Sequence, residues 1–260
     1  MATGAVNGQL WGSRAKDWAD IQEGAVAAVY DAVFAISHIG AETRYADLGC
    51  GAGLAAMKAA ALGARVSGLD AAEALLAIAR QRVPDGDFRP GDLESLPLDD
   101  DAFDLTTGFN SFQYASDPVA ALREARRVTR PGGTVVIMTW GEPAHMAAAS
   151  IVAALKPLLP LAPPNAPGPF ALSSREAITA FAEQAGLRVM RILDVDSPWH
   201  YADRDTALRG LDSSGVAERA RAQSGEAAVT AAHRAALEPF RQADGSYSIG
   251  AWFRCLFAEA

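Results

Sequence analysis

Residues 47–53 have the sequence DLGCGAG, and this stretch lies between a short apolar run and an alanine-rich segment. It has the form of the turn that joins the first strand of an α/β domain to its first helix, because glycines let the backbone bend sharply and approach a ligand. Its spacing is G-x-G-x-G, with Leu54 next, whereas dinucleotide-binding turns have G-x-G-x-x-G. Asp47 lies two residues before Gly49, near the end of the apolar run, and a carboxylate there suits a ligand with an ammonium group better than one with pyrophosphate.

Strand and helix patterns alternate on both sides of this turn. We predict strands at 44–48, 65–69, 87–89, 103–108 and 134–140, and helices at 54–62, 72–82 and 118–129. Asp117 and Pro118 suit the start of the last of these helices. Beyond residue 140 we predict helices at 146–158, 174–185 and 215–241, a Pro-rich connection after the first of them, and strands at 187–195 and 247–258. The alternation predicts an α/β fold with a doubly wound, mostly parallel sheet.

The segment before the first strand has helical periodicity. Residues 1–12 are expected to be loose except where Leu10 and Trp11 pack. Apolar residues at helical spacing predict one amphipathic helix over 13–37, started by Ser13 and ended by Gly40. We predict a single domain over 1–260, in which 1–40 form a lid helix, 41–141 the ligand-binding core and 142–260 a helical elaboration with the last two strands.

Composition and charge argue against several classes of function. The formal net charge of −8 opposes binding of a nucleic-acid backbone. Cys50 and Cys255 are the two cysteines of the 260 residues, which argues against a disulfide framework or a Cys-rich zinc site. No signal peptide or membrane-spanning run is visible. We therefore expect a cytoplasmic protein that acts on a small molecule, without metal, nucleic-acid or membrane partners; its oligomeric state is left open.

Acidic residues also follow the second and third predicted strands. Asp70 ends the second strand, where a carboxylate can accept hydrogen bonds from two vicinal ribose hydroxyls. Asp92 and Leu93 follow the third strand and could accept from an adenine amino group and stack on its ring. The fourth strand continues into residues 109–114, FNSFQY, at the carboxyl edge of the sheet, where open α/β sheets bind ligands.

Together these blocks resemble the class I (Rossmann-like) S-adenosylmethionine-dependent methyltransferases, and more narrowly the group that includes the ubiquinone and menaquinone C-methyltransferases. The matching blocks, in family order, are ADLGCGAG, VSGLD, PGDLESLPL, FDLTTGFNSFQY and RPGGTVVI, and they cover about residues 44–140. The resemblance implies methyl transfer from S-adenosylmethionine. It also implies a seven-stranded sheet whose last strand is antiparallel, with the first helix lying over the cofactor.

The same resemblance implies roles for individual residues. Those that match the family's cofactor-binding motifs are Asp47, Gly49 and Gly51 for the methionine part, Asp70 for the ribose, Asp92 and Leu93 for the adenine, and Asn110 near the methionine or sulfonium end. Trp18 on the lid helix is added as a cofactor-binding candidate, with packing in the core as the alternative interpretation.

Two histidines are candidates for catalysis. His145 follows the fifth strand and His200 follows the sixth, at the edge where the methyl group would be presented. A neutral imidazole there could remove a proton from the acceptor, with His200 favoured because Trp199 and Tyr201 beside it could form a stacking wall. His38 and His233 are interpreted as exposed or packed residues. The sequence leaves the acceptor atom open among oxygen, nitrogen and carbon.

Other functions on this fold are weighed against small-molecule methylation. An RNA or protein methyltransferase is the first alternative, but the acidic charge and the absence of an N/D-P-P-Y sequence after the fourth strand disfavour nucleic acid. A nicotinamide oxidoreductase is disfavoured by the glycine spacing. A cofactor-binding protein without catalytic activity stays open at this stage.

Overall fold

The computed structural model of the chain describes residues 4–161 and 167–260. Its strands are β1 (Arg44–Leu48), β2 (Arg65–Asp70), β3 (Asp87–Pro90), β4 (Phe103–Phe109), β5 (Thr129–Trp140), β6 (Arg188–Asp196), β7 (Trp199–Tyr201), β8 (Tyr247–Ile249) and β9 (Trp252–Glu259). Seven of them form one sheet in the order β3-β2-β1-β4-β5-β9-β6, and β7 pairs with β8 separately. The β1–β5 pairings are parallel, whereas β9 is antiparallel to β5 and β6. The predicted α/β fold, with its antiparallel last strand, is confirmed.

Helices cover both faces of the sheet. They are α1 (Gly4–Gly12), α2 (Ala15–Asp17), α3 (Ala27–Ser37), α4 (Leu54–Ala61), α5 (Glu73–Arg82), α6 (Pro118–Val128), α7 (Ala148–Ala154), α8 (Arg175–Gln184), α9 (Arg204–Asp212), α10 (Gly215–Ser224) and α11 (Glu226–Leu237). Successive side chains of a strand point to opposite faces. Val136 and Met138 of β5 therefore pack in the core that includes α3, α4 and α5, and Val135 and Ile137 pack in the core that includes α6 and α8.

The strand order reverses next to β1. The chain proceeds from β1 outward through β2 and β3, then returns to place β4 on the other side of β1. Connections that leave β1 and β4 in opposite directions open a crevice at the carboxyl ends of these two strands. The glycine-rich turn and residues 109–114 both lie at this crevice, so the topology brings together the residues that the sequence singled out.

The N-terminal segment differs from the single helix predicted over 13–37. Residues 4–12 form α1 instead of a loose stretch, and residues 1–3 lie outside the described part of the chain. After α2 the backbone makes a π-helical turn over Trp18–Gln22 and a 3-10 stretch over Glu23–Val26 before α3 begins. Ser13 does not cap the helix, because its hydroxyl donates to the carbonyl of Leu10. Helix α3 ends at Ser37, because His38 has a left-handed φ of 49°.

The C-terminal part also differs in detail from the prediction. The helix predicted over 146–158 is α7 followed by a 3-10 turn that contains Pro157, and residues 162–166 of the Pro-rich connection lie outside the described residues. The helix predicted over 215–241 is divided at Gly225, whose φ is 86°. The strand predicted over 247–258 is divided at Gly250 into β8 and β9. Helix α9 was not predicted.

Across residues 4–161 and 167–260, the helices are too short or too polar for any of them to span a lipid bilayer.

Candidate cofactor site

The glycine-rich turn leaves β1 at the carboxyl edge of the sheet. Its Gly49 and Gly51 have φ values of 79° and 54°, in the left-handed region that favours glycine. The N–H groups of Gly49 and Cys50 both donate to the carbonyl of Leu69, at 2.7 and 3.0 Å, which ties the turn to the end of β2. A Cβ at Gly49 would lie 2.4 Å from Cβ of Ser111, so glycine is required where the turn meets the end of β4.

Asp47 is a buried carboxylate beneath this turn. It is 2% exposed, and its Oδ1 accepts a hydrogen bond from Thr107 Oγ1 at 3.0 Å. The Tyr45 hydroxyl lies 2.7 Å from the same Thr107 oxygen. Burial, opposed by the Thr107 hydrogen bond and reinforced by the nearby carboxylates of Glu23 and Asp70, raises the pKa of Asp47 to about 7. A cation placed beside Asp47 would lower this pKa again.

Asp70 is fixed by the backbone at the end of β2. Its Oδ2 accepts from the Gly51 N–H at 2.9 Å and its Oδ1 accepts from the Ala72 N–H at 2.8 Å. Burial raises the pKa of Asp70, and these backbone hydrogen bonds oppose the rise. Each carboxylate oxygen can accept more than one hydrogen bond. The carboxylate is therefore held in one orientation and can still accept from a ligand.

Two side chains of the N-terminal segment converge on Gly51. The position that a Cβ would occupy there lies 3.4 Å from both Trp18 Nε1 and Glu23 Oε1. Glu23 is 3% exposed; its Oε1 accepts from the Leu54 N–H at 3.2 Å and its Oε2 pairs with Arg82. Burial raises the pKa of Glu23, against the opposing effect of Arg82. Sequence reasoning missed Glu23, because nothing in a helical pattern marks an acid that a distant turn will meet.

The indole nitrogen of Trp18, which lies beside Gly51, is a buried donor. This nitrogen, Nε1, has no hydrogen-bond partner among the residues that the structure describes. Buried N–H groups are nearly always paired, because leaving one unpaired costs roughly 1–3 kcal/mol. Since this donor lies next to Gly51, a ligand acceptor on the glycine turn is the partner that fits it. The predicted role of Trp18 in cofactor binding stays a prediction that this geometry supports.

Helix α1 crosses the carboxyl edge over the second half of the site. The Gly4 N–H donates to Asp92 Oδ2 at 3.2 Å, and Asn7 Nδ2 donates to the Tyr114 carbonyl at 2.9 Å. The other oxygen of Asp92 accepts from the Glu94 N–H at 3.0 Å. The neighbouring Leu93 packs against the core that contains Leu48 and Leu69. Helix α1 therefore covers the residues predicted to hold the adenine.

Asn110 lies where β4 ends. Its φ is 56°, its N–H donates to the Met138 carbonyl at 3.1 Å, and its Oδ1 accepts from Gln113 Nε2. Asparagine tolerates the left-handed region better than most residues. The side chain is thus held at the crevice, where its role toward a cofactor stays a prediction.

The two candidate histidines lie on the surface, and both are exposed. His200 is in the middle of β7, so it points to the opposite face from Trp199 and Tyr201, which are 3% and 4% exposed. The proposed stacking wall beside His200 is therefore wrong. His145 ends a 3-10 turn, and its carbonyl accepts from Trp252 Nε1 at 3.2 Å. Catalysis by either residue stays a prediction, and the geometry adds no support to it.

Comparison with known proteins agrees with this architecture. Residues 46–137 match the protein family described as a methyltransferase domain. A malonyl-acyl-carrier-protein O-methyltransferase of Yersinia pestis is 42% identical over 96 residues, which are 37% of this chain and 36% of that protein. A ubiquinone biosynthesis O-methyltransferase of Dinoroseobacter shibae is 29% identical over 180 residues, which are 66% of this chain and 72% of that protein.

Solved structures share the fold at lower sequence identity. The crystal structure of the (4+2)-cyclase SpnF has a TM-score of 0.57 and 21% identity, and the match covers 89% of this chain and 80% of that one. The chain spans little more than a third of the length of the Yersinia pestis relative, so that protein's activity does not transfer to it directly. The strand order, the G-x-G-x-G turn and the match of residues 46–137 to the methyltransferase-domain family agree with one another, and they make this part of the chain similar to the S-adenosylmethionine-dependent methyltransferases.

Proposed function

We propose that this protein transfers the methyl group of S-adenosylmethionine to a small-molecule acceptor, and that the cofactor binds on the glycine turn at the carboxyl edge of the sheet. The observation that carries the proposal is the group of three carboxylates, Glu23, Asp47 and Asp70, around Gly51. Burial raises the pKa of all three, and the charges of Glu23 and Asp70 raise that of Asp47 further. Such a group favours a cationic ligand, and S-adenosylmethionine has an ammonium and a sulfonium.

The polar atoms near Gly51 also match the amino-acid end of the cofactor. That end has a carboxylate, which accepts hydrogen bonds, and an ammonium, which donates them. Trp18 Nε1 is a buried donor without a partner among the described residues, and Glu23 Oε1 is an acceptor at the same distance from Gly51. In this proposal Trp18 donates to the ligand carboxylate, while Asp47 and Glu23 stabilise the ammonium.

The remaining site residues are assigned by their place along the edge. Asp70, already oriented by two backbone N–H groups, would accept from the ribose hydroxyls. Asp92 and Leu93 would meet the adenine beneath α1, and Asn110 would lie near the reacting end. These assignments follow the family pattern and the positions of the residues at the ends of β2, β3 and β4.

Methyl transfer from S-adenosylmethionine depends mainly on the alignment of the acceptor with the methyl group. When bound, S-adenosylmethionine supplies an electrophilic methyl group on a good leaving group, sulfur. The residues of this chain then have to orient the acceptor in line with that methyl group and exclude water. Helix α1, Trp11 and Trp18 cover the turn and are suited to exclude water, since Trp11 contacts both Trp18 and Tyr114 edge to face, at 5.0 and 5.4 Å between ring centroids.

The acceptor is proposed to be small and to accept through oxygen. Both curated relatives described above are O-methyltransferases by name. The formal net charge of −8 supports a small-molecule acceptor over nucleic acid. A cytoplasmic location belongs to the same proposal.

Binding of S-adenosylhomocysteine tests the site directly. Calorimetric titration should show binding by the wild type, and Asp70→Asn and Trp18→Phe should each weaken it by roughly 1–3 kcal/mol, because each change leaves ligand atoms unpaired. Asp87→Asn, which changes an exposed acid at the start of β3, is the matched control.

Two outcomes would contradict the proposal. One is a wild type that does not bind S-adenosylhomocysteine but binds NADH in the same assay. The other is a wild type that binds the cofactor but releases no S-adenosylhomocysteine with any acceptor in a broad panel of hydroxyl compounds. The second outcome would favour a binding protein without methyl transfer.

A further inference from the structure

Arg82 joins the glycine turn to the N-terminal segment that covers it. It is the last residue of α5, and its side chain is 20% exposed. Its Nη1 donates to the Ala52 carbonyl of the glycine turn at 2.9 Å, and its Nη2 donates to the Ala19 carbonyl of the π-helical turn at 2.9 Å. Nη1 also pairs with Glu23 Oε2. One guanidinium therefore contacts both segments that form the site around Gly51.

The geometry of these bonds requires an arginine. A guanidinium has five N–H donors in one rigid plane, so it can bond to two carbonyls and a carboxylate at the same time. A lysine at this position would keep the positive charge, but its ammonium is a compact point charge on a flexible stem. Ala52 and Ala19 are 0% and 9% exposed, so water has little access to replace the lost donors. Arg82→Lys therefore separates the effect of geometry from the effect of charge.

Glu23 carries the effect of Arg82 to the place proposed for the amino-acid end of the cofactor. The other oxygen of Glu23, Oε1, accepts from the Leu54 N–H at 3.2 Å and lies 3.4 Å from the position of a Cβ at Gly51. Glu23 is 3% exposed, so burial raises its pKa, and the Arg82 guanidinium opposes that rise. The charge of Arg82 thus favours the ionised carboxylate, and its rigid plane keeps that carboxylate oriented toward Gly51.

The position of Trp18 depends on the second bond of Arg82. Trp18 directly precedes Ala19 in the π-helical turn, and its Nε1 is also 3.4 Å from the position of a Cβ at Gly51. Ala19 and Ala52 belong to one small apolar cluster, against which the Trp18 ring packs. The bond from Arg82 to the Ala19 carbonyl therefore fixes the backbone that carries the unpaired indole donor.

We propose that Arg82 is a positioning residue for the amino-acid end of S-adenosylmethionine; this inference rests on the proposed function above. Arg82 acts through Trp18 and Glu23, which it holds on the glycine turn before the ligand binds, so that less ordering is required on binding. The residues proposed for the adenosine end, Asp70 and Asp92, are bound instead by backbone N–H groups. Loss of Arg82 should therefore affect one end of the ligand and not the other.

Two ligands distinguish these ends in calorimetric titration. S-adenosylhomocysteine has both ends, whereas 5′-methylthioadenosine keeps the nucleoside and the sulfur but has no amino-acid end. We expect the affinity for S-adenosylhomocysteine to fall about tenfold in Arg82→Lys and about a hundredfold in Arg82→Met. Both variants should bind 5′-methylthioadenosine as the wild type does. Arg80→Met is the matched control, since Arg80 is in the same helix but bonds to Glu73 and the Phe88 carbonyl.

A second measurement does not depend on any ligand. Amide hydrogen exchange followed by mass spectrometry reports how firmly each segment is held. In ligand-free Arg82→Lys, we expect peptides from residues 15–26 to exchange faster than in the wild type, because the donor to the Ala19 carbonyl is lost. Peptides from β1 should exchange as in the wild type. Unchanged exchange over 15–26 would show that Arg82 does not hold this segment, and the proposal would then be wrong.

The wild type distinguishes this inference from the proposed function. A wild type that binds neither ligand would overturn both. A wild type that binds S-adenosylhomocysteine, together with Arg82 variants that weaken both ligands equally or weaken neither, would overturn the inference alone. If Arg82→Met does not fold, Arg82→Lys decides the question, because lysine keeps a positive charge beside Glu23. If 5′-methylthioadenosine binds the wild type too weakly to titrate, hydrogen exchange decides it.

Discussion

At the scale of single residues, the Asp47 carboxylate has two opposed effects: its charge destabilises the ligand-free protein, and the same charge would stabilise a bound ammonium group. Its carboxylate is buried among other acids, so ionisation is unfavourable in the ligand-free protein and its pKa rises to about 7 from an ordinary value of 3.8. An acid whose pKa is raised in the folded state favours unfolding once it ionises. From this residue, the free energy of unfolding is expected to fall as the pH rises from about 4 to about 7, and to stay lower above that. A bound ammonium group would reverse the loss.

Asp47→Asn tests this conflict. The amide keeps an oxygen that accepts from Thr107 and removes the charge. At pH 8 we expect the ligand-free variant to melt at a higher temperature than the wild type, with little difference at pH 4. The affinity for S-adenosylhomocysteine should fall by roughly 1–3 kcal/mol, because the ligand ammonium loses a charged partner. Equal melting temperatures at pH 8 would show that the charge of Asp47 does not destabilise the protein.

The π-helical turn explains how one short element places two side chains on the glycine turn. In an α-helix, residues five positions apart point about 140° away from each other. Over Trp18–Gln22 the backbone is wound more loosely, and the Glu23 N–H donates to the Trp18 carbonyl, five residues back. This i to i+5 bond stacks the two residues on one side, where both reach Gly51. The irregular turn thus has a direct consequence for the site.

Gly8→Ala tests the docking of α1 as an element. A Cβ at Gly8 would lie 2.2 Å from the Ala71 carbonyl oxygen, although alanine favours a helix more than glycine does. We expect weaker binding of S-adenosylhomocysteine, by roughly 1–3 kcal/mol, because α1 is pushed off the end of β2. The melting temperature should change little, since α1 has no fully buried residue. Gly24→Ala is the control, with no atom within 4 Å of its added Cβ; equal affinities would mean that α1 is only packing.

At the scale of the whole molecule, sequence signals predicted the part of the fold that depends on residues close together in the chain. Neighbouring residues determine the glycine turn, the helix cap at Asp117 and the alternation of strands and helices. The strands β1 to β5 and the positions of Asp47 and Asp70 could therefore be predicted from the sequence. The convergence of Trp18 and Glu23 on Gly51, and the contact of His233 with Asp212, join segments that no local pattern relates. These contacts depend on tertiary packing and could not be predicted from the sequence alone.

Leu256 tests how far the stability of the whole sheet depends on β9. It is 0% exposed, and β9 is hydrogen-bonded to both β5 and β6. Leu256→Ala should lower the free energy of unfolding by roughly 2–5 kcal/mol, because it leaves a cavity beneath the sheet. Urea unfolding is the measurement, with Leu62→Ala as the control, since Leu62 is 50% exposed. A loss no larger than that of the control would show that the packing of β9 contributes little to the stability of the sheet.

The place of β9 in the sheet also has a consequence for how the protein is made. A ribosome releases β1 to β6 before it releases residues 252–259, yet these residues lie between β5 and β6 in the finished sheet. Until then β5 and β6 cannot adopt their final spacing, and each presents an unpaired edge to other nascent chains. The seven-stranded sheet therefore cannot be completed during synthesis before β9 has left the ribosome.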